Sequence, residues 1–443
     1  MTGLLAARAA EMLDAIDVAS LGPRRIGRLA AYDGLMLEAT GFRQPIGANA
    51  RVIDADGRAA LAEVVGFRGN RTLMMALDSD APHSCGARVE PDRRGNSAEV
   101  GEALLGRVVD ALGMPLDGLG PIVTKKRWPL AGKRGNPLDR ARVTEPFDMG
   151  VRAVNAVLTA GVGQRIAIVA GSGVGKSVLM GQMIAGADAD VIVVGLIGER
   201  SREVSDFLAT KLNGPVRAKS AVVAVPADHP PVLRLRAAMR ATAIAEYFRD
   251  QGKRVLLLID SLTRVAHAQR EIGLSLGEPP AMKGYPPSAL GLIPRLVERA
   301  GADTRSGGSI TALYTVLADG DDNDDPIVDT ARAIVDGHIV LSRSLAEQGV
   351  FPAIDVGKSL SRVMADIVTP EHARSAAALR RLWSVYEENR DLILMGAYRE
   401  GNDPTIDAAI DRHPDILDFL RQGQKERVNY AASVSALNES FAL

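Results

Sequence analysis

Residues 170–177 read AGSGVGKS, and the chemistry available to those residue types is the binding of phosphate. Gly171, Ser172, Gly173, Val174 and Gly175 make a small-residue turn between an apolar run, RIAIVA, and a helical pattern opening at Lys176, Ser177 and Val178. Backbone N–H groups in such a turn point at an anion together with the positive end of the following helix dipole. Lys176 can reach the β and γ phosphates of a nucleotide, and the Ser177 hydroxyl can hold Mg²⁺. The general spacing G-x-x-x-x-G-K-[ST] has glycine where this chain has Ala170. Alanine is tolerated if that position ends a strand with negative φ, because only positive φ demands glycine. A dinucleotide fingerprint fits worse, since the third glycine of G-x-G-x-x-G falls at Lys176.

Binding a nucleotide is not hydrolysing it. Hydrolysis needs a group that activates water beside the γ phosphate, and in a parallel sheet that group belongs at the carboxyl end of a neighbouring strand. Glu199 sits there, closing DVIVVGLIGER. By itself it reads as a solvent-facing turn glutamate; the phosphate loop upstream reverses that reading. Asp260 ends a second apolar run, RVLLLID. A carboxylate in that place can meet Mg²⁺ directly or through water, and it can also cap the next helix.

Elements of a particular kind must position these groups. From about Arg24 to Pro91 short β-rich runs are broken by Asp33-Gly34, Asp56-Gly57 and Gly69-Asn70, the spacing of a small barrel or sandwich. From about Gly101 to Asp366 continuous Val/Ile/Leu runs alternate with helical patterns, which predicts a parallel sheet covered on both faces by helices. Thr369-Pro370 then offers an N-cap followed by proline at the first helical position, and the remainder is mostly helical in pattern. The expected fold class is multidomain α/β: residues 1–92 an N-terminal helix plus β-barrel, 93–366 a nucleotide-binding core, and 367–443 a helical domain.

The 443 residues are 47% hydrophobic with a formal net charge of -1, enough for a substantial core and without the basic excess of a nucleic-acid binder. Cys85 is the only cysteine, which excludes a disulfide framework and suits a reducing compartment. Arg8, Glu11 and Asp14 interrupt any signal-like apolar region, and no uncharged run approaches the roughly 18–20 residues that span a bilayer. Leu5, Met12, Leu13 and Ile16 fall on one helical face that can dock on a partner helix or on the chain's own domain.

The stretches AGSGVGKSVLMGQM, GLIGERSREVSDF, LLLIDSLTRVAHAQREIGLSLGEPPAMKGYPPS and the run from SITALYTVLADG to SLSRVM resemble the rotary ATPase superfamily. Within it they are most similar to the ATPases of type III secretion, particularly the flagellum-specific export enzymes, and the likeness extends from LGRVVDALGMPLDG through the helical tail. The resemblance implies a β-barrel, a core and a helical domain, ATP and Mg²⁺ as ligands, and an alanine at the place of Ala170. It carries over Lys176 and Ser177 to phosphate and Mg²⁺, Glu199 to water activation with Arg200 beside it, and Asp260 to Mg²⁺. Arg264 lies one helical turn beyond that aspartate. Phe351 matches an aromatic that stacks on adenine, and Arg362 an arginine that a neighbouring subunit inserts at the γ phosphate.

Both Glu199 and Arg362 are present, so a homohexamer can form complete sites at every interface. Further implied partners are a negative regulator or stator protein at the N-terminal region, a central stalk protein, export-gate membrane proteins, and export chaperones with their substrates. The implied location is cytoplasmic, held at the inner-membrane export apparatus through partners. Three other readings stand beside flagellar export: virulence secretion, the catalytic subunit of a proton-coupled synthase, and a ring-shaped RNA translocase. YEENRDLILMGAYREGNDPTIDAAI stands where the synthase subunit has an acidic lever. Residues 24–91 hold arginines but only Tyr32, Phe42 and Phe67 as aromatics, few for an RNA surface.

Two motifs are decoys. GLSLG around Ser275 follows a helical stretch instead of ending a strand, so it is not a hydrolase elbow. DGDDNDDP has Asp324 where a calcium loop from Asp319 requires glycine and Thr330 where it requires glutamate. The six histidines show no paired zinc spacing.

Overall fold

The computed structural model describes residues 26–78, 83–92, 95–133, 135–318 and 325–442. The amphipathic stretch from Leu5 to Ile16 and most of the DGDDNDDP run lie outside them. The chain divides into two compact units, up to Asn96 and from Ser97 onward.

In the first unit β1 (Gly27–Tyr32), β2 (Met36–Thr40), β3 (Asn49–Ile53), β4 (Ala59–Arg68), β5 (Arg71–Ala76) and β6 (Arg88–Pro91) close an antiparallel barrel in the order β1-β2-β5-β4-β3-β6. The predicted turns fall where hairpins require them: Asp33-Gly34 joins β1 to β2, Asp56-Gly57 joins β3 to β4, and Gly69-Asn70 joins β4 to β5. Alternation along β4 buries every second side chain through Phe67's neighbour Gly66, so Ala62 and Val64 join Leu37, Val52, Met74 and Val89 in the barrel core. Closure removes the unpaired edges an open sheet would present.

The second unit is built on strands β7 (Ser97–Val100), β8 (Val108–Val109), β9 (Lys126–Pro129), β10 (Arg165–Ala170), β11 (Val191–Ile197), β12 (Ser220–Val225), β13 (Arg254–Asp260), β14 (Gly301–Ala302), β15 (Ser309–Leu317), β16 (Gly337–Val340) and β17 (Leu360–Ser361). β7 and β9 form a separate antiparallel pair. The others make one sheet in the order β17-β16-β10-β15-β13-β11-β12-β8, with β14 beside β15. From β16 to β8 all neighbours are parallel, and only β14 and β17 run antiparallel. β11 is buried at all seven positions, as a strand covered on both faces must be.

The helices that follow are α1 (Arg152–Val157), α2 (Lys176–Gly186), α3 (Ser201–Thr210), α4 (Gly214–Ala218), α5 (Pro231–Arg249), α6 (Leu262–Ser275), α7 (Pro287–Val297), α8 (Pro326–Ile334), α9 (Arg343–Glu347), α10 (Met364–Ile367), α11 (Pro370–Leu394), α12 (Pro404–Leu420) and α13 (Tyr430–Phe441). Thr369 caps α11 by accepting from the His372 N–H, with Pro370 at the first position as predicted. Asp403 and Asn429 cap α12 and α13 in the same way. Leu379, Trp383, Ile416, Phe419, Leu437 and Phe441 of these last helices share one continuous core with α1, α2 and the sheet. No helix among the described residues is long and apolar enough to cross a membrane. Ser275 ends α6 and donates to the Glu271 carbonyl at 2.8 Å, an ordinary helix-terminal serine.

Candidate active site

β10 lies between β15 and β16, and its last residue, Ala170, is 1% exposed and paired with Leu317. Its backbone is extended, so nothing there requires glycine. The turn beyond it does: Gly173 and Gly175 hold φ of 80° and 92°, the left-handed region, whereas Gly171 is not among the positive-φ glycines. Val174 is 2% exposed and anchors the loop in the core. Ser172 and Ser177 are exposed and Val178 is half-buried. No side chain caps the start of α2, and the Val178 and Leu179 N–H groups both turn back to the Gly175 carbonyl at 3.1 and 3.0 Å.

Three charged groups from three elements meet at this turn. Lys176 opens α2, Glu199 follows β11, and Asp260 ends β13; with Ser177 they line one cavity of about 440 Å³. Lys176 Nζ donates to Asp260 Oδ1 at 2.6 Å and lies 3.7 Å from Glu199 Oε1. Asp260 is 4% exposed and accepts a second bond, from the Thr315 hydroxyl, on the same oxygen at 2.6 Å. Burial pushes the Glu199 carboxyl up to about 7, the neighbouring Asp260 charge adds to the rise, and Lys176 opposes it. Glu199 Oε1 is buried with no hydrogen-bond partner among the described residues. A carboxylate so placed is poised to take a proton near neutral pH.

Gly198, with φ of 71°, allows this arrangement: a Cβ there would come within 2.9 Å of Arg264 Cβ. Arg264, in the first turn of α6, thus packs under the Glu199 turn, and its charge draws the Glu199 pKa slightly down. Arg200 is on the cavity wall, but its side chain is 86% exposed and pairs with Glu203 at 3.6 Å. Phe351 lies beside Gly175 of the loop. A Cβ at Gly175 would sit 3.4 Å from its ring, which is 40% exposed, so it is a platform beside the loop and not core packing.

Arg362 is elsewhere. It follows β17, whose Ser361 pairs with Gly337 at the start of β16; its N–H donates to Asp336 and its guanidinium to the Arg332 carbonyl at 3.2 Å. Gly337 is level with Ile166 of β10, so Arg362 is at the amino end of the parallel strands and the phosphate loop at the carboxyl end. Five residues of strand separate the two levels by roughly 15 Å, beyond the reach of one side chain.

Two polar residues that matter here were not singled out from the sequence. Thr315 is the hydroxyl on Asp260, and Gln422 ties its own N–H to the Phe351 carbonyl at 2.8 Å while its side chain accepts from the Arg152 N–H at 2.7 Å. A threonine inside SITALYTVLA reads as strand filler, and a glutamine between helices reads as linker. Ser177 and Asp260 supply a hydroxyl and a carboxylate to one cavity, the sparse all-oxygen set that Mg²⁺ accepts while keeping waters and phosphate oxygens.

Residues 150–361 match the model of the ATP synthase alpha/beta family, nucleotide-binding domain, and residues 368–439 match that of the T3SS EscN ATPase C-terminal domain. The chain is 51% identical over 419 residues to a flagellum-specific ATP synthase of Pseudomonas aeruginosa, spanning 94% of this chain and 93% of that one. It is 45% identical over 415 residues to a type 3 secretion system ATPase of Xanthomonas euvesicatoria, spanning 94% and 93%. Among solved structures, the assembled ATPase EscN of the enteropathogenic E. coli type III secretion system is similar with a TM-score of 0.88 at 42% identity, over 94% of this chain and 100% of that one. EscN in complex with its central stalk EscO is similar with a TM-score of 0.85.

Proposed function

This chain belongs to the flagellum-specific and type III secretion ATPases of the ATP synthase alpha/beta family, and from that we propose that it hydrolyses ATP at the interfaces of a ring of identical subunits to energise flagellar protein export. One observation carries the shared-site part of this reading: Lys176, Glu199 and Asp260 converge on one cavity while Arg362 lies at the opposite end of the same strands. The flagellar assignment, over virulence secretion, rests on the flagellum-specific relatives of Pseudomonas aeruginosa and Salmonella typhimurium at 51%, against 45% for the type 3 secretion ATPase; further flagellum-specific relatives stand at 43–46%.

In this reading the N–H groups of residues 171–177 and the Lys176 ammonium bind the phosphates, Val178 backs the loop with its N–H turned to the Gly175 carbonyl, and Phe351 stacks on adenine. Ser177 and Asp260 hold Mg²⁺, Asp260 in part through water. When bound, that ion neutralises charge developing on the phosphate oxygens. Glu199 orients a water and takes its proton. Arg264 adds positive potential beneath it, and Arg200 guards the cavity mouth. Arg362 reaches the γ phosphate of the adjacent subunit, where such an arginine is worth about 10³–10⁵ in rate.

Residues 93–366 act as the nucleotide-binding core and 367–443 as the domain that meets export partners. EscN is solved as an assembly and with a central stalk, which supports a homohexamer and a stalk partner for this chain. A stator or negative regulator at the N-terminal region, export-gate proteins and export chaperones complete the set, with the ring cytoplasmic at the export apparatus. The test is hydrolysis per subunit against protein concentration. The rate should rise as the ring assembles and vanish in Lys176→Ala, whereas a rate independent of concentration would sink the shared-site reading.

A further inference from the structure

Thr315 is fully buried in β15, two residues before that strand ends. The β13–β15 register runs from Arg254↔Ser309 to Ile259↔Tyr314, and one further step sets Thr315 against Asp260. Its hydroxyl donates to Asp260 Oδ1 at 2.6 Å and lies 3.4 Å from the Ile259 carbonyl. The same Oδ1 accepts from Lys176 Nζ at 2.6 Å. A second hydroxyl contact ties the end of β15 to the first turn of α6, with the Leu317 N–H donating to Thr263 Oγ1 at 2.9 Å.

The two donors on Oδ1 differ in kind. Lys176 is a charged group on a flexible four-carbon stem that also serves phosphate, so its bond to Asp260 competes with its other work. Thr315 is β-branched, held by the strand and neutral, so its bond survives any movement of the lysine. A donor of that kind fixes the rotation of a carboxylate without cancelling its charge.

We propose that Thr315 is a positioning residue of the reaction: its hydroxyl holds Asp260 Oδ1 against β15 and so keeps the carboxylate turned to the cavity, ready for a nucleotide-bound divalent cation, whether or not Lys176 is bonded to it. This rests on the reading of Asp260 as the cation-side acid. Outer-shell partners of this type are worth about 10–100-fold in metal affinity.

The test uses the full chain with Thr315→Val, which keeps the shape and removes the donor, and Thr315→Ser, which keeps the donor. Binding of mant-ADP is titrated with Mg²⁺ and with EDTA, and the Mg²⁺ concentration for half-maximal hydrolysis is measured. The expected result is that Thr315→Val raises the Mg²⁺ requirement about tenfold and leaves affinity in EDTA within about twofold of wild type. Thr315→Ser should restore the Mg²⁺ requirement. Equal losses with and without Mg²⁺, or no rescue by serine, would mark Thr315 as packing only and overturn the proposal. Asp260→Asn separates the two readings. If it leaves the Mg²⁺ requirement unchanged, the role of Asp260 falls; if it shifts that requirement and Thr315→Val does not, only the assignment of Thr315 falls.

Discussion

Glu199 loses its proton at about 7 because burial and the Asp260 charge outweigh the attraction of Lys176. The profile of kcat/KM reports groups of the free enzyme, so its acid limb should fall as pH drops through about 7, where the carboxylate takes up a proton and cannot accept one from water. Glu199→Gln should bind mant-ATP like wild type and hydrolyse none. Stability has a definite sign too. The folded value stands above the ordinary 4.5, so the contribution of Glu199 is most favourable below that and is lost as pH rises through about 7. Glu199→Gln should therefore melt higher than wild type at pH 8, with the gap closing toward pH 5; a gap that widens on acidification would contradict the burial of the Glu199 carboxyl. At the same scale Ala170→Gly should leave turnover within about twofold, since the position is extended backbone and makes no demand for positive φ.

The elements explain why so much of this site was legible beforehand. RIAIVA, DVIVVGLI and RVLLLID became β10, β11 and β13 because continuous apolar runs belong to strands covered on both faces, and each ends on the loop or carboxylate marked for chemistry. Phe351 and Arg362 were of another sort. Neither stands at a strand end in a recognisable pattern, and only their likeness to a family marked them. Thr315 and Gln422 escaped because their meaning lies in pairing across the fold, in a strand register and in a bond between residues 71 positions apart. The Gln422 contact bears on the next expectation: the Phe351 loop is pinned from behind, so removing its ring should cost base stacking alone. Phe351→Ala should raise KM for ATP about tenfold, from roughly 1–3 kcal/mol of stacking, with kcat nearly unchanged. An equal loss in kcat would place the ring in the chemical step instead.

At the scale of the molecule, the sheet puts Arg362 and the phosphate loop at opposite strand ends, and this yields a complementation test. Arg362→Ala and Glu199→Gln should each be inactive alone. Mixed one to one, they should recover activity at about a quarter of interfaces, where an intact Glu199 faces an intact Arg362 from a neighbour. Mixtures as dead as the parents would mean that both residues serve the same subunit's site. The strand order has one more effect, on the growing chain. β10, which delivers the phosphate loop, is the first long strand of its sheet to leave the ribosome, yet its partners are β15 and β16, made after residues 171–308. At about 5–20 residues per second the ribosome takes several seconds or more to supply them. During that interval β10 has no sheet partner, so the phosphate loop lacks the frame on which it would hold a nucleotide, and ATP can stabilise the subunit only once β15 and β16 have been made.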